Sequence, residues 1–255
     1  MIPLPAQLAI LFVAGALSGF INILAGGGSL LTLPVLIFLG LPAATANGTN
    51  RIAILIQSLA GVAGFHQLNV FPWRAGLLAA IPALIGALIG ANLAIDISDT
   101  LFKQILAGLM IAMLILIIFD PSRRLREKRR PITGMRRVWF ALGFFGVGVF
   151  GGFIQAGVGF LIIALMLLAG FDLVATNAIK VLVVTIFTVA ALIVFILHGE
   201  VNYLLGISLG LGSAAGGWLG TRFAVKKGHA WVRAFVIVMV VVFSAKLLVD
   251  SLFSN

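Results

Sequence analysis

The sequence predicts an all-α, polytopic membrane protein built from two homologous repeats of about five membrane segments each. Of its 255 residues, 62% are hydrophobic and only 9% are charged, whereas about 25% of the residues of a soluble domain are charged. Nearly every long stretch is apolar enough to cross a bilayer. The pattern of the first half also recurs in the second half, so that Asn177 follows Asn47 by 130 residues.

The first repeat, residues 1–120, consists of five apolar segments separated by glycine, proline or short polar stretches. They cover residues 8–24, 30–39, 43–65, 75–95 and 102–119. A transmembrane helix needs about 20 predominantly apolar residues. The second segment is too short for this, so we expect it to be a re-entrant half-helix that forms a hairpin with the segment before it.

The first two segments meet at three consecutive glycines, Gly26, Gly27 and Gly28. Three glycines in a row end a helix, rather than merely allowing it to pack closely against another helix. A break inside hydrocarbon leaves backbone N–H and C=O groups unpaired, which costs several kcal/mol per group. Such a break is tolerated only where it is buried in protein or lines a polar cavity, and it therefore predicts a buried polar site.

The only strongly polar stretch lies between the two halves, at residues 121–137, and it carries eight of the 17 basic residues. Short loops rich in lysine and arginine lie on the cytoplasmic side of a membrane. We therefore interpret this stretch as a basic cytoplasmic linker. The net charge of +10 then reflects topology rather than binding to nucleic acid.

The second repeat, residues 138–255, restarts the same pattern. Its segments cover residues 138–155, 160–169, 173–197, 203–225 and 231–252. The short segment follows Gly157 and Gly159, at the place that corresponds to the first break. Interrupted segments at corresponding places in two halves are typical of transporters with a site between the repeats. Two copies of a glycine-rich bundle would also align, and for the pair Gly86 and Gly90 we expect close helix packing.

The charged turns also indicate the orientation of the repeats. Five passes per half place the acidic residues Asp96, Asp99 and Glu200 outside and the basic residues Lys226 and Lys227 inside. An odd number of passes makes the two repeats inverted, and we prefer this topology. If each broken pair counts as one crossing, each half has four spans, the repeats are parallel, and Glu200 moves to the inside.

Each break offers hydrogen-bond donors to an anion. A helix that restarts after a break directs free N–H groups and the positive end of its dipole at the break, and glycine lets a ligand approach the backbone closely. Hydroxyl and amide side chains beside the glycines add donors. The candidate binding residues at the two breaks are Asn22, Gly26, Gly27, Gly28, Ser29, Gln155, Gly157 and Gly159.

Polar side chains inside the apolar segments supply the other candidates. Lys180 lies about two turns into segment 173–197, and Arg51 lies near the corresponding place in the first half. Charges within membrane spans are rare and usually face a cavity or a partner, but both side chains could instead extend to the interface. The neighbouring residues bind either the ligand or an adjacent helix, and they are Asn47, Thr49, Asn50 and Asn177.

Several function classes are disfavoured. The chain has no cysteine and three histidines, and its acids lie at segment ends or in loops, so we expect neither a membrane-embedded enzyme nor a metal or other cofactor. Without a mid-span carboxylate, gradient-driven movement of an anion is the default and an anion channel is the alternative. The expected partners are a small anion and the lipid bilayer, with a homodimer left open and nucleic acid excluded.

Three stretches of this sequence resemble the TauE/SafE sulfite exporter family of prokaryotic membrane proteins. They are residues 19–34, the motif Ala46-Asn47-Gly48-Thr49-Asn50-Arg51 and the ending Ser244-Ala245-Lys246-Leu247-Leu248. The resemblance covers essentially the whole chain, although many members carry an acid where Asn22 stands. It implies a multi-pass protein of the inner membrane that transports sulfite, thiosulfate, sulfoacetate or a related organosulfonate. Another small anion, such as a carboxylate, is the alternative substrate.

Overall fold

Backbone groups in hydrocarbon must find their hydrogen-bond partners within the protein, which favours helices. The computed structural model describes residues 2–25, 27–67, 71–119, 132–224, 238 and 241–246, and within these ranges it contains helices and no strand. The prediction of an all-α fold is confirmed for this part of the chain.

Nine helices are complete within the described ranges. They are α1 (Leu4–Ala25), α2 (Ser29–Phe38), α3 (Ala43–Gln67), α4 (Trp73–Ile95), α5 (Asp99–Phe119), α6 (Met135–Phe153), α7 (Val158–Leu168), α8 (Leu173–Leu197) and α9 (Tyr203–Ala224). Residues 241–246 are also helical. Most of the expected last segment, 231–252, and most of the basic linker, 121–137, lie outside the described residues.

Helix length separates spanning helices from short ones. Three helical stretches are long and apolar enough to cross a membrane, namely Leu4–Asn22, Trp73–Ile95 and Val174–Leu197. Helices α2 and α7 have 10 and 11 residues, so they extend only about 15–17 Å and cannot cross a hydrocarbon core of about 30 Å. The expected short helices are thus present after both breaks, while the number and orientation of the spans stay predictions.

Glycines lie at close contacts between helices. Helix α4 packs along α6, and α1 packs along α9. A methyl group added at Gly86 or Gly90 would overlap backbone atoms of α6, and one added at Gly216 would overlap backbone atoms of α1. Helix backbones approach this closely only where no side chain separates them. The prediction that Gly86 and Gly90 serve helix packing is confirmed.

Helices α3 and α8 pack on each other, α3 also contacts α9, and α8 also contacts α4. Polar side chains of α3 are buried in these contacts, among them Asn47, Asn50 and Arg51. Exposed side chains of the surrounding helices are often large and apolar, for example Ile81 and Leu211. Polar residues inside and apolar residues outside suit a protein surrounded by lipid.

Candidate functional site

The first helix break lies at the glycine run between α1 and α2. Gly26, the first glycine of this run, lies outside the described residues. The N–H of Leu30 bonds to the carbonyl of Gly27 at 3.1 Å, which closes the first turn of α2. A Cβ atom at Gly28 would lie 2.5 Å from the carbonyl oxygen of Ser18. The start of α2 therefore lies directly against α1, with no space for a side chain between them.

The second break contains a glycine in the left-handed region. Gly157 precedes α7 with a φ of 80°, a conformation that costs other residues about 1–2 kcal/mol. Its carbonyl accepts the N–H of Phe160 at 3.0 Å. A Cβ atom at Gly27 would lie 2.9 Å from the ring of Phe160, so the two breaks lie against each other although they are far apart in the sequence.

A cavity of about 60 Å³ lies between the two breaks. One water needs roughly 10–15 Å³ of such space, so the cavity is large enough for a small polyatomic ion. Residues from both halves of the chain line it. Of the residues that the sequence singled out, the cavity brings together Asn22, Ser29, Gln155, Gly157, Gly159 and Lys180.

Lys180 provides a positive charge at this cavity. Its side chain is only 7% exposed, and among the described residues it makes no hydrogen bond or ion pair. No acid belongs to the described lining of the cavity. A buried ammonium group without a counter-ion carries a large desolvation cost, and a negatively charged ligand in the cavity would offset that cost.

Arg51 does not line the cavity and binds the end of α6 instead. Its fully buried guanidinium donates to the carbonyl oxygens of Gly151, at 3.1 Å, and Gly152. It also donates to Oε1 of Gln155 at 3.2 Å, and its Cζ lies 4.7 Å from the ring centre of Phe195. The last carbonyls of a helix lack intrahelical partners and form the negative end of its dipole, so this cation stabilises the end of α6.

Two further candidates on α3 also bond to the second half of the chain. The amide nitrogen of Asn47 donates to the carbonyl of Phe153, the last residue of α6, at 2.7 Å. The hydroxyl oxygen of Thr49 accepts the N–H of Asn202, just before α9, at 2.9 Å. Both side chains thus join α3 to helix ends of the other half.

The remaining described candidates do not line the cavity. Asn50 accepts a hydrogen bond from the hydroxyl of Thr32 at 2.7 Å, which connects α3 to α2. Gly27 and Gly28 belong to the first break, and Asn177 lies on α8 three residues before Lys180, but none of the three is among the cavity residues. A ligand role for them stays a prediction.

One face of α3 lines the cavity although none of its residues is among the candidates predicted from the sequence. Ile54, Gln57, Ser58 and Gly61 all line the cavity, and their spacing of three, four and seven residues places them on one side of a helix. The amide of Gln57 accepts from Asn22 at 3.1 Å. The signal for this face is the pair of polar residues Gln57 and Ser58 in the part of the segment after Arg51, which is otherwise apolar.

The described acids lie at helix ends and in turns. Asp99 accepts the N–H of Ala43 at 2.5 Å and pairs with Lys103 at 2.5 Å. Asp172 accepts the N–H of Ala175 at 2.8 Å at the start of α8. A carboxylate at a helix start satisfies a free N–H and complements the dipole. The expectation that acids avoid the middle of the segments is confirmed for the described acids.

Comparison with known proteins gives consistent matches over nearly the whole chain. Residues 11–247 match the model of the family described as Sulfite exporter TauE/SafE. The chain is 30% identical over 248 residues to the Escherichia coli (strain K12) "Probable membrane transporter protein YfcA", which covers 97% of this chain and 91% of that protein. It is 28% identical over 244 residues to a Haemophilus influenzae "Probable membrane transporter protein", at 95% of each chain.

A Sinorhizobium relative, "Probable membrane transporter protein ORF9", is 28% identical over 247 residues and covers 95% of this chain and 93% of its own length. No solved structure matches the chain. The family match and these relatives extend over both halves, including the two breaks and the cavity between them. The chain therefore belongs to the sulfite exporter TauE/SafE family and is a membrane transporter of that family.

Proposed function

We propose that the chain transports a small sulfur-containing anion across the inner membrane of a prokaryote. The substrate is sulfite, thiosulfate, sulfoacetate or a related organosulfonate, and it binds between the two broken helices near the midplane. The observation that carries this proposal is Lys180, a buried cation at a small cavity without a protein counter-ion in the described ranges. The family description supports the choice of sulfur anions.

The starts of the two short helices add to the attraction of an anion. Ser29 and Gly159 line the cavity at the first turns of α2 and α7, where N–H groups without intrahelical partners favour negative charge. Each helix start is worth about 0.3–1 kcal/mol. A full charge at 4 Å contributes about 4 kcal/mol at an effective dielectric constant of 20, so Lys180 dominates the expected affinity.

We further propose that the two halves are repeats related by a two-fold exchange, in the inverted topology that the charged turns favour. Exchanging the halves converts the contact of α1 with α9 into that of α6 with α4, and both contacts are among the most extensive in the described part of the fold. The same exchange converts the contact of α3 with α9 into that of α8 with α4. Glycines stand at equivalent crossings, Gly15 and Gly19 on α1 and Gly148 and Gly152 on α6.

The absence of an acid from the described cavity lining favours movement of the anion down its gradient over coupling through a protonated carboxylate. The same cavity would also suit an anion channel or a carrier of a small carboxylate. The transport rate distinguishes a carrier from a channel. Under voltage clamp, the ion flux through an open channel far exceeds the turnover of a carrier.

The test is uptake into proteoliposomes that contain the purified full-length protein. Labelled sulfite, thiosulfate and sulfoacetate are compared with acetate and chloride, and Lys180→Ala is compared with Lys103→Ala. Lys103 is a matched control, since it lies outside the described lining of the cavity and pairs with Asp99 at the start of α5, where a partly exposed pair contributes about 1 kcal/mol. We expect saturable uptake of at least one sulfur anion, which Lys180→Ala abolishes and Lys103→Ala leaves unchanged.

Two results would overturn the proposal. Uptake of acetate or chloride without uptake of any sulfur anion would assign a different substrate class. Saturable uptake of a sulfur anion with an unchanged KM in Lys180→Ala would move the binding site away from this cavity, because a lost charge contact of about 4 kcal/mol corresponds to roughly a thousandfold in affinity.

A further inference from the structure

We infer that Arg51 is a positioning residue that orients the amide of Gln155 as a hydrogen-bond donor to the transported anion. This inference rests on the proposed function, because it assigns a role at the same cavity. Arg51 lies behind the lining, whereas Gln155 is part of the lining. The arginine therefore acts on a bound anion through the glutamine and not by direct contact.

The chemistry of arginine determines the direction of the amide. A guanidinium group has donors and no acceptor, so the atom of Gln155 that lies 3.2 Å from Nη1 of Arg51 must be the oxygen Oε1. The nitrogen Nε2 then lies on the other side and donates to Oγ1 of Thr188 at 2.5 Å. Without Arg51, the amide could turn over and present its oxygen in place of its nitrogen.

One hydrogen of this amide remains available. An amide nitrogen carries two hydrogens, and Thr188 accepts only one of those on Gln155. Among the described residues the second hydrogen has no acceptor. Because Gln155 lines the same cavity as Lys180, this hydrogen and the ammonium group together offer two donors from the second half of the chain to one anion.

The position of Arg51 is itself fixed by several partners. In addition to Gln155, its guanidinium donates to the carbonyls of Gly151 and Gly152, and it contacts the ring of Phe195. A rigid fork of donors can serve these acceptors at the same time, whereas a lysine ammonium is a single point charge. Replacement by lysine therefore keeps a cation at the end of α6 but loses the hydrogen bond that orients Gln155.

A purely structural arginine would stabilise the end of α6 and nothing more. Asn47 already donates to the carbonyl of Phe153 at that end, so part of the support remains when Arg51 is changed. The two roles are separable, because stability reports the contact with α6 while the KM for the anion reports the orientation of Gln155.

The experiment measures initial uptake rates against concentration for labelled sulfite, or for labelled thiosulfate or sulfoacetate where the wild-type protein transports that anion instead, together with the unfolding temperature of each variant. We expect Gln155→Met to raise KM by about tenfold to a hundredfold, the effect of losing a hydrogen bond to a charged group. Arg51→Lys should raise KM by about tenfold with little change in unfolding temperature. The double variant should be no worse in KM than Gln155→Met, because both changes remove the same interaction.

Matched controls carry the same substitutions at exposed positions. Arg74→Lys and Gln104→Met change residues that are exposed and lie outside the described lining of the cavity. We expect both to keep the wild-type KM. Gln155→Glu serves as a second variant that keeps an acceptor for Arg51 and replaces the donor by a negative oxygen, and it should raise KM by more than a hundredfold.

The outcomes distinguish this inference from the proposed function. A wild-type KM in Arg51→Lys, with a raised KM in Gln155→Met, would reduce Arg51 to a structural residue. A wild-type KM in Gln155→Met or Gln155→Glu would overturn the donor role of the amide while transport of sulfur anions stands. If Arg51→Lys does not fold, a wild-type KM in Gln155→Met or Gln155→Glu still overturns the inference, because Arg51 then has no donor to orient. Absence of uptake of sulfite, thiosulfate and sulfoacetate alike by the wild-type protein would overturn both proposals.

Discussion

Replacing Gly152 by alanine should destabilise the protein, whereas the same change at Gly146 should not. Both glycines lie on α6. A Cβ atom at Gly152 would lie 2.6 Å from the Cα and 2.7 Å from the carbonyl carbon of Ala87 on α4, whereas one at Gly146 would meet nothing within 4 Å. The two variants thus make the same change in the same helix and differ in what faces the new methyl group.

The size of the effect follows from these distances. Carbon atoms that are not bonded prefer a separation of about 3.5–4.0 Å, so Gly152→Ala must open the crossing of α4 and α6 by about 1 Å. Overpacking of this kind costs about 1–3 kcal/mol, of which the better helix propensity of alanine recovers about 1 kcal/mol. Gly146→Ala gains about 1 kcal/mol without a steric cost. The difference between the variants is therefore about 1–3 kcal/mol.

Thermal unfolding of the purified protein in detergent measures this difference. One kcal/mol shifts the unfolding temperature of a chain of this size by about 2–4 °C, so Gly152→Ala should unfold about 2–12 °C below Gly146→Ala. The carbonyl of Gly152 also accepts from Arg51, so its displacement should raise the KM for sulfite as well. Equal unfolding temperatures for the two variants would refute the reasoning about the crossing.

Three further changes test other parts of the structure. Gly157→Ala should cost about 1–2 kcal/mol in unfolding free energy, because its φ of 80° disfavours every residue with a Cβ atom; an unchanged unfolding temperature would contradict this. Thr32→Val should cost about 1–3 kcal/mol, because the buried amide of Asn50, whose nitrogen already has no partner, then has none at its oxygen either; a neutral result in the same assay would count against that bond. Ser58→Cys introduces a single thiol into a chain without cysteine, and saturating sulfite should slow its reaction with a methanethiosulfonate reagent severalfold, since Ser58 lines the cavity. A reaction rate that sulfite does not change would argue against the site.

The sequence predicted the two breaks and the short helices because glycine acts locally. The first short segment was expected from residue 30, and α2 begins at Ser29; the second was expected from residue 160, and α7 begins at Val158. The loss of helix propensity at a glycine run depends on neighbouring residues alone. The local sequence alone is therefore sufficient to locate each helix break.

The sequence alone does not identify the partners of buried polar side chains. Arg51 and Gly151 are separated by 100 residues, and nothing near either residue specifies that they meet. Hydrophobic periodicity shows that a side chain faces inward but not which helix it faces. For this reason the sequence predicts Arg51 as a candidate ligand, whereas in the structure Arg51 contacts the end of α6 and Gln57 lines the cavity.

The close crossing of α1 and α9 has a consequence for how the protein is made. Gly19 lies against the backbone of Ser213, which leaves the ribosome 194 residues later. At about 5–20 residues per second, α1 waits about 10–40 s for the helix that covers its glycine face. Because Leu4–Asn22 is long and apolar enough to span a membrane unaided, the nascent chain can hold this helix in the bilayer until its partner is translated.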